Sequence, residues 1–289
     1  AGTVVNPTPP APVSLNTTSG GATVKFVANS AIMQMLATSE KWRGEVMALN
    51  AGHRLARHAG VNQHGKYYVS TLSEGALDGT GARSYKDGDD TGRGLSCHNI
   101  EWLEANFPLL YLFRRNTQGG AGAGKFRGGT GGESALTVHD APEGKIKGVA
   151  LGVAGLRNSG QGMFGGYPGA PSLLMLVEGT GVEDKIAGGQ APDRLEEIGG
   201  SGRLLPYCEF DIGKNDVLYM RMSSGGGYGD PLEREPPRVL KDVEDGIVSR
   251  QEAREIYGVA IEGAVPALNG AATDKLRADA RRERLQERT

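Results

Sequence analysis

The chain has 289 residues, and its 46 glycines are roughly twice the usual share of about 7%. They follow no G-X-Y period and apolar residues are spread throughout, which argues against collagen and against a disordered tract. A formal charge of −2 from 32 basic and 34 acidic residues gives no footprint for nucleic acid, two distant cysteines cannot build a disulfide framework or a four-cysteine zinc site, and no apolar run approaches the ~18 residues of a membrane span.

In chain order, residues 1–22 are rich in Pro, Gly, Ser and Thr and are expected to be extended. The opening AGTVVNPTPPAPVS has no basic and apolar signal regions and no initiator Met, so it reads as a linker or a cut end of something longer, in a reducing cytoplasm. ATVKFV is a short β-like run, followed by a helix in which Ile32, Met35 and Leu36 recur at helical spacing, with Asn29 or Ser30 as its cap. His53, His58 and His64 follow at spacings that do not share a helical face, so they read as hydrogen-bonded or solvated histidines and not as metal ligands.

Tyr67 to Leu72 is a strand, and the loop after it, SYKDGDDTGRG, is acidic and glycine-rich. His98 in SCHNIEW comes soon after Asp89 and Asp90; a histidine beside carboxylates suits acid–base or metal work. Nothing local lowers the pKa of Cys97, which reads as a structural thiol. A helix stops before Pro108 and an apolar strand ends in Arg114 and Arg115.

Next comes GGAGAGK, Gly119 to Lys125, the G-x-x-x-x-G-K half of a phosphate-binding loop. The hydroxyl position holds Phe126, and RGGTGG cannot start the helix whose N-terminus would face the anion. A tight structural glycine turn is the better reading. SALTVHD, IKGVALGVAG, SLLMLVEG and KNDVLYMRMS are short strands separated by glycine. RVLKDVEDGIVSRQEAREIYGVAI then gives two helices broken at Gly246, the second opened by a capping box of Ser249 and Glu252, and DKLRADARRERLQERT is a charged helix with a solvated face. The fold class is therefore α+β: a β-rich, glycine-rich body over 23–235 and a helical tail over 236–289, behind the extended 1–22. No G-x-S-x-G elbow, H-E-x-x-H or A-M-K-M biotin site occurs.

FPLLYLFRRNTQGGAGAGKFRGGTGGE and SSGGGYGDPLEREPPRVLKDVEDGIVSRQEAREIYGV together resemble the B-type subunit of the hydantoinase and oxoprolinase family. In that family an acidic G-D loop, a GGAGxxRGG loop and a GGGGxGDPxxR box with a V-x-D-G-x-V-S helical segment recur in this order. The match runs from about residue 65 to 261, and FPLLYLFRR is more similar to the ATP-dependent acetone and acetophenone carboxylases than to the cyclic amide hydrolases.

The resemblance implies a subunit, or the rear half of one, that acts only within a heteromeric, biotin-independent ketone carboxylase. ATP and a divalent metal (Mg or Mn) would be bound mainly by a kinase-like A-type subunit and by the front half of the B-type subunit. A small ketone and bicarbonate would be the substrates; nucleic acid and membrane would not be partners. An ATP-dependent cyclic amide hydrolase and a structural subunit without its own site are the alternatives. Asp89, Asp90, His98 and Asn99 become the candidate catalytic cleft edge, no residue is assigned to a cofactor or metal, and the motif glycines with Asp230 are architecture. SCHN departs from the N-T-P of many relatives.

Overall fold

The computed structural model describes Thr8 and residues 28–49, 54–72, 74–91, 97–152 and 160–286. The β-like run before the first helix and nearly all of 1–22 lie outside the described residues, as does His53. The first helix, α1 (residues 28–37), already includes Asn29 and Ser30, so neither is its cap.

Two antiparallel sheets form the body. β1 (Arg54–Val61) and β2 (Tyr67–Thr71) make a hairpin, and β5 (Lys145–Gly152) and β8 (Cys208–Gly213) extend it in the order β2-β1-β5-β8. The hairpin closes on Gly65 at φ 73° and on the Asn62 carboxamide, whose oxygen accepts from the backbone N–H of His64 and Lys66. The second sheet runs β3-β4-β9-β6-β7, from β3 (Leu109–Asn116), β4 (Gly132–Val138), β9 (Val217–Arg221), β6 (Leu173–Glu178) and β7 (Ser201–Leu204).

Between the sheets lies the main core. The period of two sends Ala56, Ile146, Ala150, Phe210 and Ile212 inward from the first sheet, against Leu136, Leu174, Leu176, Leu218 and Met220 of the second. Burying each such Leu or Ile contributes about 1.5–3 kcal/mol. The second sheet is covered on its other face by α3 (Val182–Ala187) and α4 (Leu195–Ile198), through Val182 and Ile198 against Ala135, Val217 and Tyr219. Helix α2 (Ile100–Asn106) ends where expected: Phe107, next to Pro108, turns extended at φ −130° and ψ 149°.

SALTVHD, IKGVALGVAG, SLLMLVEG and KNDVLYMRMS all fall on strands, whereas β1, β7 and β8 are additions that the sequence reading did not contain. α5 (Pro236–Glu244) and α6 (Arg250–Glu255) flank Gly246, which sits at φ 72°, and both hydrogen bonds of the Ser249–Glu252 capping box are formed. A two-residue hairpin, β10 (Ile261–Glu262) and β11 (Ala267–Leu268), leads into α7 (Gly270–Gln286). Val239, Ala253, Tyr257 and Val259 of this C-terminal segment form a small core that also includes Ala123 of the glycine-rich loop. No helix among the described residues is long and apolar enough to cross a membrane.

Candidate functional site

The three signature segments meet in a bundle of extended chains that belongs to neither sheet. Residues 225–227 run through its middle. Gly225 N–H donates to Gly129 and its carbonyl accepts from Gly122; Gly226 does the same with Leu49 and Ala82, and Gly227 with Tyr167 and Met163. A strand in a sheet has two neighbours; this stretch has hydrogen-bonding partners on the 48–49, 79–82, 122–129 and 161–170 segments.

Chains can surround one another in this way only if side chains are missing between them. A Cβ at Gly225 would overlap the Thr80 carbonyl, and one at Gly128 would overlap the carbonyl of Gly225. The glycine excess thus has a structural cause at this bundle. GGAGAGK is one of its chain segments, without regular strand or helix: next to it Phe126 pairs with Tyr228 through backbone hydrogen bonds of 3.0 and 2.9 Å, no helix follows, and Lys125 Nζ lies 3.6 Å from Glu233. The structural-turn reading holds, and the loop lacks the parts that would fit a nucleotide phosphate.

Charged side chains from the same motifs clamp the bundle. Arg234, from the GDPLER box, is 1% exposed and donates to both oxygens of Asp87 at 2.7 and 2.9 Å and to Asp242 of α5 at 2.9 Å. Arg127, from the GGAGxxRGG loop, donates to the other Asp242 oxygen and to Asp90, each at 3.0 Å, while its backbone N–H donates to Asp87 at 2.9 Å. Burial pushes the Asp87 carboxyl upward, but the hydrogen bond and charge of Arg234, with Arg127, outweigh it and hold the group below the usual carboxylate range. Asp230 caps the turn at Pro231–Glu233 through Leu232 N–H at 2.9 Å and takes Arg284 of α7 at 2.8 Å, an architectural role.

The four candidate residues fall into two groups. Asp89 contributes backbone to the bundle, and its carboxylate takes Lys86 Nζ at 2.6 Å on the surface. Asp90 is held by Arg127 and by Thr130 N–H, each at 3.0 Å. His98 is exposed, and its ring stacks on Trp102 with centroids 5.1 Å apart and planes 27° apart. Asn99 is the N-cap of α2, accepting from Trp102 N–H at 3.3 Å. Among the described residues no bond joins the aspartates to His98 or Asn99, and the loop over 92–96 lies outside them.

A buried cluster lies behind His98. Its carbonyl accepts from Arg114 at 2.7 Å, and Arg114 also pairs with Glu74 at 2.8 Å, which in turn accepts from the Tyr111 hydroxyl at 2.7 Å. Burial pushes the Cys97 thiol up, opposed by Arg114 and aided by Glu74. That agrees with a structural thiol. His58 is buried on the core face of β1 against Tyr68 and Phe107, and His64 Nε2 lies 3.1 Å from the Ala105 carbonyl, so both are packing or hydrogen-bonding histidines. No group of three or more His, Cys, Asp or Glu able to hold a metal ion occurs among the described residues, so they offer no fit for a divalent ion.

Sequence reasoning missed Asp87, Arg234 and Asp242 and the buried pairing of Arg127 with Asp90 and Asp242, although all of these residues stand inside or beside the motifs it used. Opposite charges repeated within separate glycine-rich motifs were the available signal. It also missed the loop GQGMFGGYPGA, residues 160–170, as a part of the bundle.

Known proteins resemble this chain in sequence and in fold. The chain is 30% identical over 283 residues to the acetone carboxylase alpha subunit of Xanthobacter autotrophicus, covering 89% of this chain and 36% of that one. It is 28% identical over 306 residues to the acetophenone carboxylase delta subunit of Aromatoleum aromaticum, covering 98% and 44%. In structure it matches nucleotide-free acetone carboxylase with a TM-score of 0.73 at 28% identity, over 88% of this chain and 37% of that chain. ATP-dependent caprolactamase from Pseudomonas jessenii gives 0.60 at 26%, over 83% and 40%. The chain therefore spans less than half the length of these relatives. Residues 1–231 match the model of one family, Hydantoinase B/oxoprolinase. With its signature motifs joined in a single glycine bundle, the chain belongs to the hydantoinase B/oxoprolinase family.

Proposed function

We propose that this chain works as a subunit, or as the rear half of a subunit, of an ATP-dependent, biotin-independent ketone carboxylase complex of the acetone or acetophenone type. The observation that carries the reading is the likeness to acetone carboxylase, which is higher in TM-score, 0.73 against 0.60, and covers more of this chain, 88% against 83%, than the likeness to caprolactamase. In this reading ATP and its metal are handled by a kinase-like subunit and by the portion of a B-type subunit not present in this chain. A ketone, activated as its enol, is joined to a carboxylate derived from bicarbonate, in the cytoplasm.

The contribution of this chain is a rigid wall. The bundle is held by backbone hydrogen bonds and buried ion pairs and has few rotatable side chains, which suits a chamber that must keep water from activated intermediates. Of the four candidate residues, His98 is proposed as the acid–base group of the cleft edge, because its ring is exposed and held by Trp102. Asn99 positions it by capping α2, and Asp90 acts on architecture through Arg127.

The test is made on the complex purified from its source cell. Ketone-dependent ATP hydrolysis with bicarbonate fixation is the expected result. ATP hydrolysis driven by hydantoin, 5-oxoproline or a lactam, with no response to ketones, would move the assignment to the cyclic amide hydrolases. Full activity after His98→Gln would leave this chain a structural part.

A further inference from the structure

One surface of the molecule is built as if it were meant to be covered. Helix α1, Ala-Asn-Ser-Ala-Ile-Met-Gln-Met-Leu-Ala, is apolar on nearly every side, the pattern of a helix enclosed in protein. One face is enclosed: Met33, Leu36 and Ala37 pack on Val46, Ala48, Met163 and Tyr228. The other is bare, with Ile32 50% and Met35 71% exposed.

The bare face continues onto the bundle. Gln34 donates to Gln161 at 2.7 Å, which ties α1 to the 160–170 loop. At the tip of that loop Phe164 has φ 53°, a backbone conformation that L side chains rarely adopt, and its ring is still 39% exposed. Arg43 lies over that ring at 5.3 Å and Tyr228 packs against it with centroids 5.0 Å apart, while the Arg43 carbonyl accepts from the Tyr228 hydroxyl at 2.9 Å. Trp42 and Tyr167 are exposed on the same end. An aromatic ring kept at the surface by an unfavourable backbone contributes little to the fold that holds it, and such outliers point to binding.

The outer face of the four-stranded sheet is the competing surface. Tyr67 and Val69 are exposed there, but Arg57, Lys147, Glu209 and Asp211 stand among them and solvate the face. At the α1 end the exposed apolar side chains come from α1, from Trp42 and from the 160–170 loop, and the charges beside them, Lys41 and Arg43, lie over the Trp42 and Phe164 rings.

We infer that the surface formed by Ile32, Met35, Trp42, Phe164 and Tyr167 is the seat of the remaining portion of a B-type subunit, carried on the same polypeptide or on a separate one. The occupant is indicated by length: nearly nine-tenths of this chain folds as only 37% of the acetone carboxylase polypeptide. In a subunit of that size the larger remainder would have to meet this body, and the α1 end offers it Ile32, Met35, Trp42, Phe164 and Tyr167, all exposed. The inference rests on reading the chain as part of such a subunit, not on which reaction the subunit performs.

A photo-crosslinking amino acid placed at Met35, and separately at Tyr167, in the protein produced in its native cell would test it by peptide mass spectrometry. The expected result is cross-links from both positions to a B-type subunit sequence outside the region matched here. Cross-links to the kinase-like subunit, to α1 of a second copy, or to nothing in an assembled complex would overturn it. As a second measurement, Ile32→Glu/Met35→Glu is expected to reduce the co-purified B-type remainder, or its protection from protease if it is on the same chain, about tenfold or more. The far-UV spectrum should be unchanged because both side chains are exposed, and undiminished recovery or protection would count against the surface. Ketone-dependent ATP hydrolysis, measured on the same preparation, separates the two ideas. Expected cross-links without that activity spare the surface and remove the carboxylase reading; activity with cross-links elsewhere does the reverse.

Discussion

The two-sheet body and the glycine bundle hold chains together by opposite means. In the sheets, side chains alternate, and the inward set of Leu136, Leu174, Leu218 and Ile146 provides the cohesion. In the bundle the side chains are absent, backbone groups satisfy one another between several chains, and Arg127 and Arg234 supply the fastening. A sheet core responds to what is removed from it, whereas the bundle responds to what is added.

The sharpest way to break that contrast is one methyl group. Gly225→Ala places a Cβ against the Thr80 carbonyl and the Gly81 nitrogen, neither of which can move without dislodging neighbouring chains. A loss above about 4 kcal/mol, or no recoverable folded protein, is expected. Gly60→Ala, on β1, meets only Ile146, at ordinary contact distances of 3.4–3.8 Å, and should shift the melting temperature little. Equal melting temperatures for the two variants would mean that the bundle is not close-packed.

Arg234→Met should come next. The side chain that remains is of similar length, but Asp87 and Asp242 lose the guanidinium that both of them bind. Removing one partner of a buried ion pair costs about 3–5 kcal/mol, read as a fall in the denaturation midpoint of the purified complex. A loss under about 1 kcal/mol would put this cluster with surface ion pairs.

Acid distinguishes the two regions by pH window. Burial lowers His58 in the sheet body from 6.5 to about 4, so below pH 6.5 the unfolded chain binds a proton that the folded chain refuses. Its contribution is complete above pH 6.5 and is lost as pH falls to about 4, in total about 3 kcal/mol. Asp87 in the bundle, held below its ordinary 3.8, gives a contribution that is complete above that value and lost only at more acid pH. His58→Phe should therefore flatten the stability profile between pH 6.5 and 4 and leave the more acid limb in place. An unchanged slope in the upper window would show that His58 is not the group responsible.

The same contrast explains what could be read in the sequence. Strands β4, β5, β6 and β9 were legible because apolar residues and glycine breaks mark them. β1 was not, because its inward positions are Ala56, His58 and Gly60, which carry no hydrophobic period. β7 is exposed throughout and shows no alternation either. The bundle was visible only as a family signature: a glycine run states that chains approach closely, but not which chains. Asn99 caps α2 by a local hydrogen bond, whereas the Asp90–Arg127 pair depends on long-range folding that local spacing does not encode.

The smallest expected effect lies where sequence and structure agree most closely. Ser249 accepts from Glu252 N–H at 3.1 Å, and Glu252 returns by accepting from Ser249 N–H at 2.8 Å, on a surface far simpler than the bundle. Ser249→Ala removes the hydroxyl acceptor but leaves the Glu252 carboxylate and the buried Ala253 of the same helix in place. The cost should be about 1 kcal/mol. Ser249→Asp, which restores an acceptor and adds a negative charge at a helix N-terminus, should recover most of it. If Ser249→Ala instead approached the loss expected for Arg234→Met, α6 would be holding the bundle closed from outside, and the fastening assigned to the arginines would have to be shared with this helix.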